Sequence, residues 1–161
     1  MKKLFLIRHA KSDWNNPSLK DIERPLNERG YSNANTMAQH LKEVPDLIMT
    51  SPAVRAASTA LIFAKHWSYT PNNIVIRQEL YDTGRKEYLS VIKDLSNDYN
   101  HVVLFAHNPT ISELADYLTQ GLPMEMPTCA IAGISFKLDS WNNIKPKSGE
   151  LFLFDYPKKS E

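Results

Sequence analysis

Reactive side chains in this chain sit where apolar runs end. Arg8-His9 follows Leu4-Phe5-Leu6-Ile7, and His107-Asn108 follows Val102-Val103-Leu104-Phe105-Ala106. Arg55 comes shortly after Asp46-Leu47-Ile48-Met49-Thr50, and Asp82 lies in the segment Leu80-Tyr81-Asp82-Thr83-Gly84, after Ile74-Val75-Ile76. An arginine pairs bidentately with phosphate oxygens and keeps its charge. An imidazole with one unprotonated, oriented nitrogen is a nucleophile toward phosphorus. A carboxylic acid nearby can protonate a leaving group. Two arginines, two histidines and a carboxylate converging on one place therefore point to phosphoryl chemistry. No Gly-rich loop accompanies them, which argues against a P-loop or a dinucleotide site.

For these residues to meet, the apolar runs must be neighbouring strands. Short apolar runs bounded by charge read as strands buried on both faces. Residues 10–27 form a polar loop, interrupted by Asn15-Asn16, Pro17 and Pro25. Asn27 caps a predicted helix over about 28–42, with Tyr31, Ala34, Met37, Ala38 and Leu41 on one face. Ser51 and Pro52 open a second helix as N-cap and first helical residue, and Ala53, Ala56, Ala57, Ala60, Leu61 and Ala64 give it a small-residue face. A third helix is expected over about 86–97, packing Tyr88, Val91, Ile92 and Leu95. Asn108 caps a fourth with Pro109 at its first position, and Ile111, Leu114, Ala115 and Leu118 face inward. Residues 129–138 and 150–156 read as two more strands, antiparallel to each other, and the tail from Pro157 as frayed.

Strand–helix alternation through four units indicates an α/β fold: a three-layer sandwich with a mostly parallel central sheet flanked by helices, in one domain over 1–161. In such sheets ligands bind outside the carboxyl ends of the strands. Arg8, His9, Ser51, Arg55, Asp82, His107 and Asn108 then share one edge, beside helix N-termini that add N–H donors and a positive dipole end.

Composition narrows the partners. The chain has 161 residues, 42% hydrophobic and 23% charged, with a formal net charge of +1. Nothing global favours nucleic acid or a membrane, so anion specificity must come from local placement. The single cysteine, Cys129, excludes an intrachain disulfide and a Cys-based zinc site. It reads as a small buried hydrophobe and suits a reducing compartment. Lys2-Lys3 precede only four apolar residues before Arg8, too short for a signal peptide, so a cytoplasmic location is expected. His40, His66 and His101 read as surface residues without ligand spacing, and no metal or other cofactor is expected. Lys145, Lys147, Lys158 and Lys159 read as a solvated basic end, and Trp14 as packing for its loop.

The chain resembles the histidine phosphatase (phosphoglycerate mutase-like) superfamily, over nearly its whole length. The residues that carry the resemblance are Arg8-His9-Ala10, the run Ser51-Pro52-Ala53-Val54-Arg55-Ala56-Ala57-Ser58-Thr59-Ala60, and Ala106-His107-Asn108-Pro109. Within that superfamily, Arg8 to Trp14 and Arg24-Pro25-Leu26-Asn27-Glu28-Arg29-Gly30 are most similar to the SixA-type phosphohistidine phosphatases. The resemblance implies that His9 attacks phosphorus and becomes phosphohistidine, that Arg8, Arg55 and His107 hold the equatorial oxygens, and that water completes hydrolysis without a metal. It makes Asp82 the candidate general acid, with Glu79 second; as a residue, Asp82 reads equally as an ordinary loop turn. Ser12 and Asn15 match phosphate-loop positions, and Asn108 reads as both cap and site rim. The expected partner is a phosphorylated protein, such as a histidine-phosphotransfer domain, or a small phosphorylated metabolite. A small-molecule phosphomonoesterase and a non-catalytic phosphate-binding module are the alternatives.

Overall fold

The computed structural model describes residues 1–158, so Lys159 of the expected basic end lies outside the described residues. In chain order the elements are β1 (Lys2–Arg8), α1 (Glu28–Ala38), β2 (Leu47–Thr50), α2 (Val54–His66), β3 (Val75–Ile76), α3 (Arg85–Lys93), β4 (His101–Ala106), α4 (Thr110–Leu118), β5 (Ile131–Phe136) and β6 (Glu150–Asp155). The strands make one sheet in the order β3-β2-β4-β1-β5-β6. β3, β2, β4 and β1 pair in parallel, whereas β5 runs antiparallel to both β1 and β6. The α/β sandwich of the sequence reading is therefore the observed fold.

Alternation along the central strands builds a core on each face, because successive side chains point to opposite sides. Leu4 and Leu6 of β1 join Val102 and Leu104 of β4 under α3 and α4. Phe5 and Ile7 join Val103 and Phe105 under α1 and α2. Both strands are buried on both faces, hence their unbroken apolar runs.

Several boundaries differ from the sequence reading, each for a local reason. Ser51 is not the N-cap of α2: its N–H still bonds the Phe105 carbonyl in the sheet, at 3.0 Å, and the helix starts at Val54 after Ala53. α4 starts at Thr110, with Pro109 rather than Asn108 in the capping position. α1 ends at Ala38, short of the expected 42, and Tyr31 faces solvent. Leu61 of α2 is exposed, while Phe63 is fully buried. Cys129 is buried as expected but has φ +62°, which breaks the strand there, so β5 begins at Ile131. His101 is buried against the ring of Phe5, not at the surface.

One close approach sets the geometry of the loop after β1. The side-chain oxygen of Asn27 accepts the Gly30 N–H at 2.8 Å, capping α1, and the Asn27 N–H bonds the Lys11 carbonyl at 3.0 Å. A Cβ on Gly30 would lie 2.2 Å from that carbonyl oxygen, so only glycine lets α1 press onto the loop backbone. Gly30→Ala is expected to destabilise the protein by about 1–3 kcal/mol, as overpacking does. Urea denaturation checks this, and wild-type stability in the variant would show that the loop yields freely.

Candidate active site

The register of β1 and β4 determines which side chains meet. Arg8 stands opposite Ala106 in the parallel ladder, and the His9 N–H bonds the Ala106 carbonyl at 3.1 Å. His9 and His107 are therefore the next pair beyond the ladder, with ring centroids 5.2 Å apart. The neighbouring pairing of β2 with β4 puts Thr50 opposite Phe105, so Ser51 emerges beside them. Its hydroxyl lies 2.7 Å from His107 Nε2 and also accepts the Ala53 N–H.

Around this pair is a cleft of about 240 Å³ lined by Arg8, His9, Ser12, Arg24, Arg55 and His107, with Lys11, Trp14, Asn108 and Thr128 completing its wall. His9 Nδ1 lies 2.7 Å from the Ala10 carbonyl. A carbonyl can only accept, so Nδ1 carries the proton and Nε2 keeps its lone pair. The Ala10 N–H in turn bonds Thr59 Oγ1, which donates to the Arg55 carbonyl, tying the loop after β1 to α2. Burial pushes His9 down to about 4, with the cations Arg55, Arg8 and Arg24 adding to the shift against the Ala10 bond. Burial likewise pushes His107 down to about 3, with His9 and Arg55 contributing. Both imidazoles are neutral at pH 7.

The arginines are held by a few oxygens. Arg8 Nη1 bonds the Met126 carbonyl at 3.0 Å. Arg55 donates from Nη1 to the Asp21 carbonyl and from Nη2 to Asp21 Oδ2. Arg24 pairs with Asp21 Oδ1 at 3.1 Å, and its guanidinium lies 3.2 Å from the centroid of the Trp14 ring. Tyr81 OH donates to Asp21 Oδ2, and the Tyr81 ring meets His107 edge-on. Burial alone would raise the Asp21 carboxyl, but the bonds from Tyr81 and Arg55 outweigh it and hold the group at about 2. Asp21 thus stays ionised and orients both guanidiniums. Arg8 Nε, Arg24 Nη1, Arg55 Nε and His107 Nδ1 are buried without a hydrogen-bond partner. Such orphaned nitrogens call for an acceptor, and an anion in the cleft would supply it.

Of the residues singled out in the sequence, Arg8, His9, Ser12, Arg55, His107 and Asn108 come together on this wall. Asn108 has its amide occupied by the Met126 carbonyl, Glu125 and Ser112, so it braces the segment that holds Arg8. Asn15 is exposed, its N–H turned to Asp13 Oδ1, and it does not line the cleft. The structure does not bring Asp82 into the cleft either: it is exposed, on a left-handed turn with φ +54°. Glu79 faces solvent and pairs with Arg77. Trp14 is not loop packing; it is 73% exposed at the rim. The sequence reading does not single out Arg24 as a residue of the cleft wall, nor Asp21, Thr59 and Tyr81 as positioning groups. Arg24 and Thr59 fall inside the motifs that carry the resemblance, but Asp21 and Tyr81 have no sequence signal of their own. A larger groove of about 390 Å³ adjoins at α4, yet it carries Glu113, Asp116 and Glu125, the wrong charge for phosphate. Among the described residues, no helix is long and apolar enough to cross a membrane.

Comparison with known proteins agrees with this geometry. The profile of the histidine phosphatase superfamily (branch 1) matches residues 4–88. The chain is 30% identical over 159 residues to an uncharacterized chloroplastic protein of Arabidopsis thaliana, covering 92% of this chain and 72% of that one. It is 30% identical over 113 residues to a 2,3-bisphosphoglycerate-dependent phosphoglycerate mutase of Chlamydia abortus, covering 68% of this chain but only 47% of the mutase. Among solved structures it is similar to SixA of Agrobacterium tumefaciens, assigned as a phosphohistidine phosphatase, with a TM-score of 0.79, 27% identity, and coverage of 98% of this chain and 99% of that one. A mycobacterial glucosyl-3-phosphoglycerate phosphatase shares the fold at a TM-score of 0.75 and 18% identity, covering 97% of this chain and 99% of that one. The chain belongs to the histidine phosphatase superfamily, and its architecture is of the SixA type.

The buried imidazoles have a measurable consequence. Both titrate below the unfolded value of about 6.5, so the unfolded chain binds more protons in acid. Stability is therefore lost as pH falls from about 6.5 towards the folded values. Between pH 7 and pH 5 the two groups together are expected to cost about 2–4 kcal/mol. Urea denaturation at the two pH values checks this; equal midpoints would mean that the rings are solvated.

Proposed function

We propose that the protein is a phosphatase that works through a phosphohistidine on His9 and takes phosphohistidine on another protein as its substrate. The observation that carries this reading is the make-up of the cleft wall. It holds an imidazole with a free Nε2 and three arginines and, among the described residues, no carboxylate. Departure of an alkoxide from a phosphomonoester needs a proton donor. Asp21 is held ionised and has no proton to give, and Asp82 is exposed and does not line the cleft. An imidazole whose second ring nitrogen already carries a proton leaves phosphorus as a neutral ring, so its departure needs no carboxylic acid.

His9 Nε2 attacks phosphorus, and the P–N bond to the substrate imidazole breaks, its electron pair staying with the leaving ring. Arg8, Arg24 and Arg55 hold the equatorial oxygens, where charge-assisted donors stabilise the in-line transition state. Ser51 donates to His107 Nε2, leaving the Nδ1–H of that ring for a phosphoryl oxygen. Water then attacks the same phosphorus. The new P–O bond forms as the P–Nε2 bond breaks, the water protons stay with orthophosphate, and His9 returns neutral. The open cleft and the exposed Trp14 at its rim suit a side chain presented by a folded protein, and the single buried Cys129 suits a cytoplasmic enzyme. The likeness to mutases and to a sugar phosphatase supports a second reading, a small phosphomonoester as substrate. Higher kcat/KM on a sugar or nucleotide monophosphate than on phosphohistidine protein would establish that instead.

Phosphate release from a phosphohistidine-bearing protein, with a metal chelator present, tests the proposal. Wild type is expected to release phosphate and His9→Ala to release none; substantial residual activity in the variant would reject the nucleophile. Arg24→Ala is expected to lower kcat/KM about a hundredfold, the loss of one transition-state donor. Asp82→Asn is expected to stay within about threefold of wild type on phosphohistidine. A loss as large as that of Arg24→Ala would restore Asp82 as the acid.

A further inference from the structure

A second, cationic pocket opens beside the catalytic cleft and shares part of its wall. It has a volume of about 170 Å³ and is lined by Lys11, Arg29, Asn33, Thr128 and Lys158, with two prolines and no acidic residue. Lys11 and Thr128 also line the catalytic cleft, so the two spaces are neighbours that share these residues in their walls. No ion pair among the described residues involves Lys11, Arg29 or Lys158. Three like charges facing one small space repel each other unless an anion enters.

The pocket is built on the same backbone as the catalytic loop. Arg29 and Asn33 ride on the first turns of α1, which Gly30 holds against the Lys11 carbonyl. Thr128 precedes Cys129, whose N–H bonds the His9 carbonyl at 3.0 Å. The spacing between pocket and nucleophile is thus set by rigid backbone contacts. The separate groove at α4 carries Glu113, Asp116 and Glu125 instead. A substrate arriving at His9 therefore meets additional positive charge at this pocket and negative charge at the α4 groove, and that asymmetry orients it.

We propose that this pocket binds a carboxylate of the protein substrate, from an aspartate or glutamate close to the phosphohistidine. The proposal rests on the reading of the substrate as a phosphohistidine protein. The pocket selects acidic flanking sequence and fixes which way the chain lies across the cleft.

Two phosphohistidine peptides of equal length test it, one with aspartates beside the phosphohistidine and one with alanines. Phosphate release gives a ratio of kcat/KM for the two peptides within each protein, so differences in folded fraction cancel. Wild type is expected to favour the acidic peptide about tenfold at low ionic strength, the effect of two weak ion pairs. The preference should shrink at high salt and vanish in the double variant Arg29→Gln, Lys158→Gln. Equal kcat/KM for both peptides in wild type would overturn the proposal, as would a preference that survives the double variant. Calorimetric binding of the same peptides to His9→Ala separates this from catalysis. Tighter binding of the acidic peptide without hydrolysis by wild type would uphold the pocket and sink the phosphatase reading; equal affinities, or no binding of either, would overturn the pocket.

Discussion

The parallel pairing of β1 with β4 is the constraint on which the rest of the site depends. Both strands are buried on both faces, and the ladder that joins them ends with Arg8 beside Ala106. Because side chains alternate strictly along a strand, a slip of one residue would turn Arg8 and His9 to the wrong faces and bury polar groups in the two cores. The apolar burial that stabilises the sheet is thus the same interaction that sets His9 against His107. Catalytic geometry is a by-product of core register, and no dedicated framework is needed to hold the two rings.

Around that pair the protein accepts an electrostatic cost. Three arginines converge on two buried imidazoles; Asp21 pairs with Arg24 and Arg55, and Glu125 is the carboxylate that acts on Arg8. The same burial that keeps the imidazoles neutral makes an incoming dianion welcome, since several guanidinium and imidazole nitrogens are left without acceptors. A site of this kind is preorganised: the donors are already placed, and little has to rearrange when charge develops on the phosphoryl oxygens. Asp21 is the economical part of the arrangement. It sits about half exposed, outside the cleft wall, yet it touches Arg24, Arg55 and Tyr81 together. It aligns two guanidiniums without placing negative charge where the substrate must go.

The surroundings of the cleft extend this logic outward. Basic side chains of α1 and the loop after β1 line one pocket, and acidic side chains of α4 and the loop after it line another. The net charge of +1 conceals this division. Under the proposed function, that charge division is what a phosphorylated partner would meet on its way to His9.

The chain order of strands and helices, the two apolar faces and the positions of Arg8, His9, Arg55 and His107 at strand-to-helix junctions were all legible in the sequence. They rest on local signals: buried apolar runs, helical periodicity, and reactive residues where those patterns stop. The roles that required contact across the fold were not legible. Ser51 reads as a helix cap in one dimension, but its N–H is still engaged in the sheet and its hydroxyl serves His107. Asp82 comes after the short strand β3 where an acid is expected, yet it is exposed on a left-handed turn and does not line the cleft. Arg24 and Trp14 form a stack, and Asp21 and Tyr81 a hydrogen bond, that join segments far apart along the chain or bent back by a loop without periodicity. The sequence by itself determined which reactive residues stand at the strand ends and which sheet edge presents them, because hydrophobic burial is encoded residue by residue. Only the tertiary structure decided which groups orient them and which carboxylates stay outside, because those depend on side-chain directions in loops, where no repeating pattern constrains the backbone.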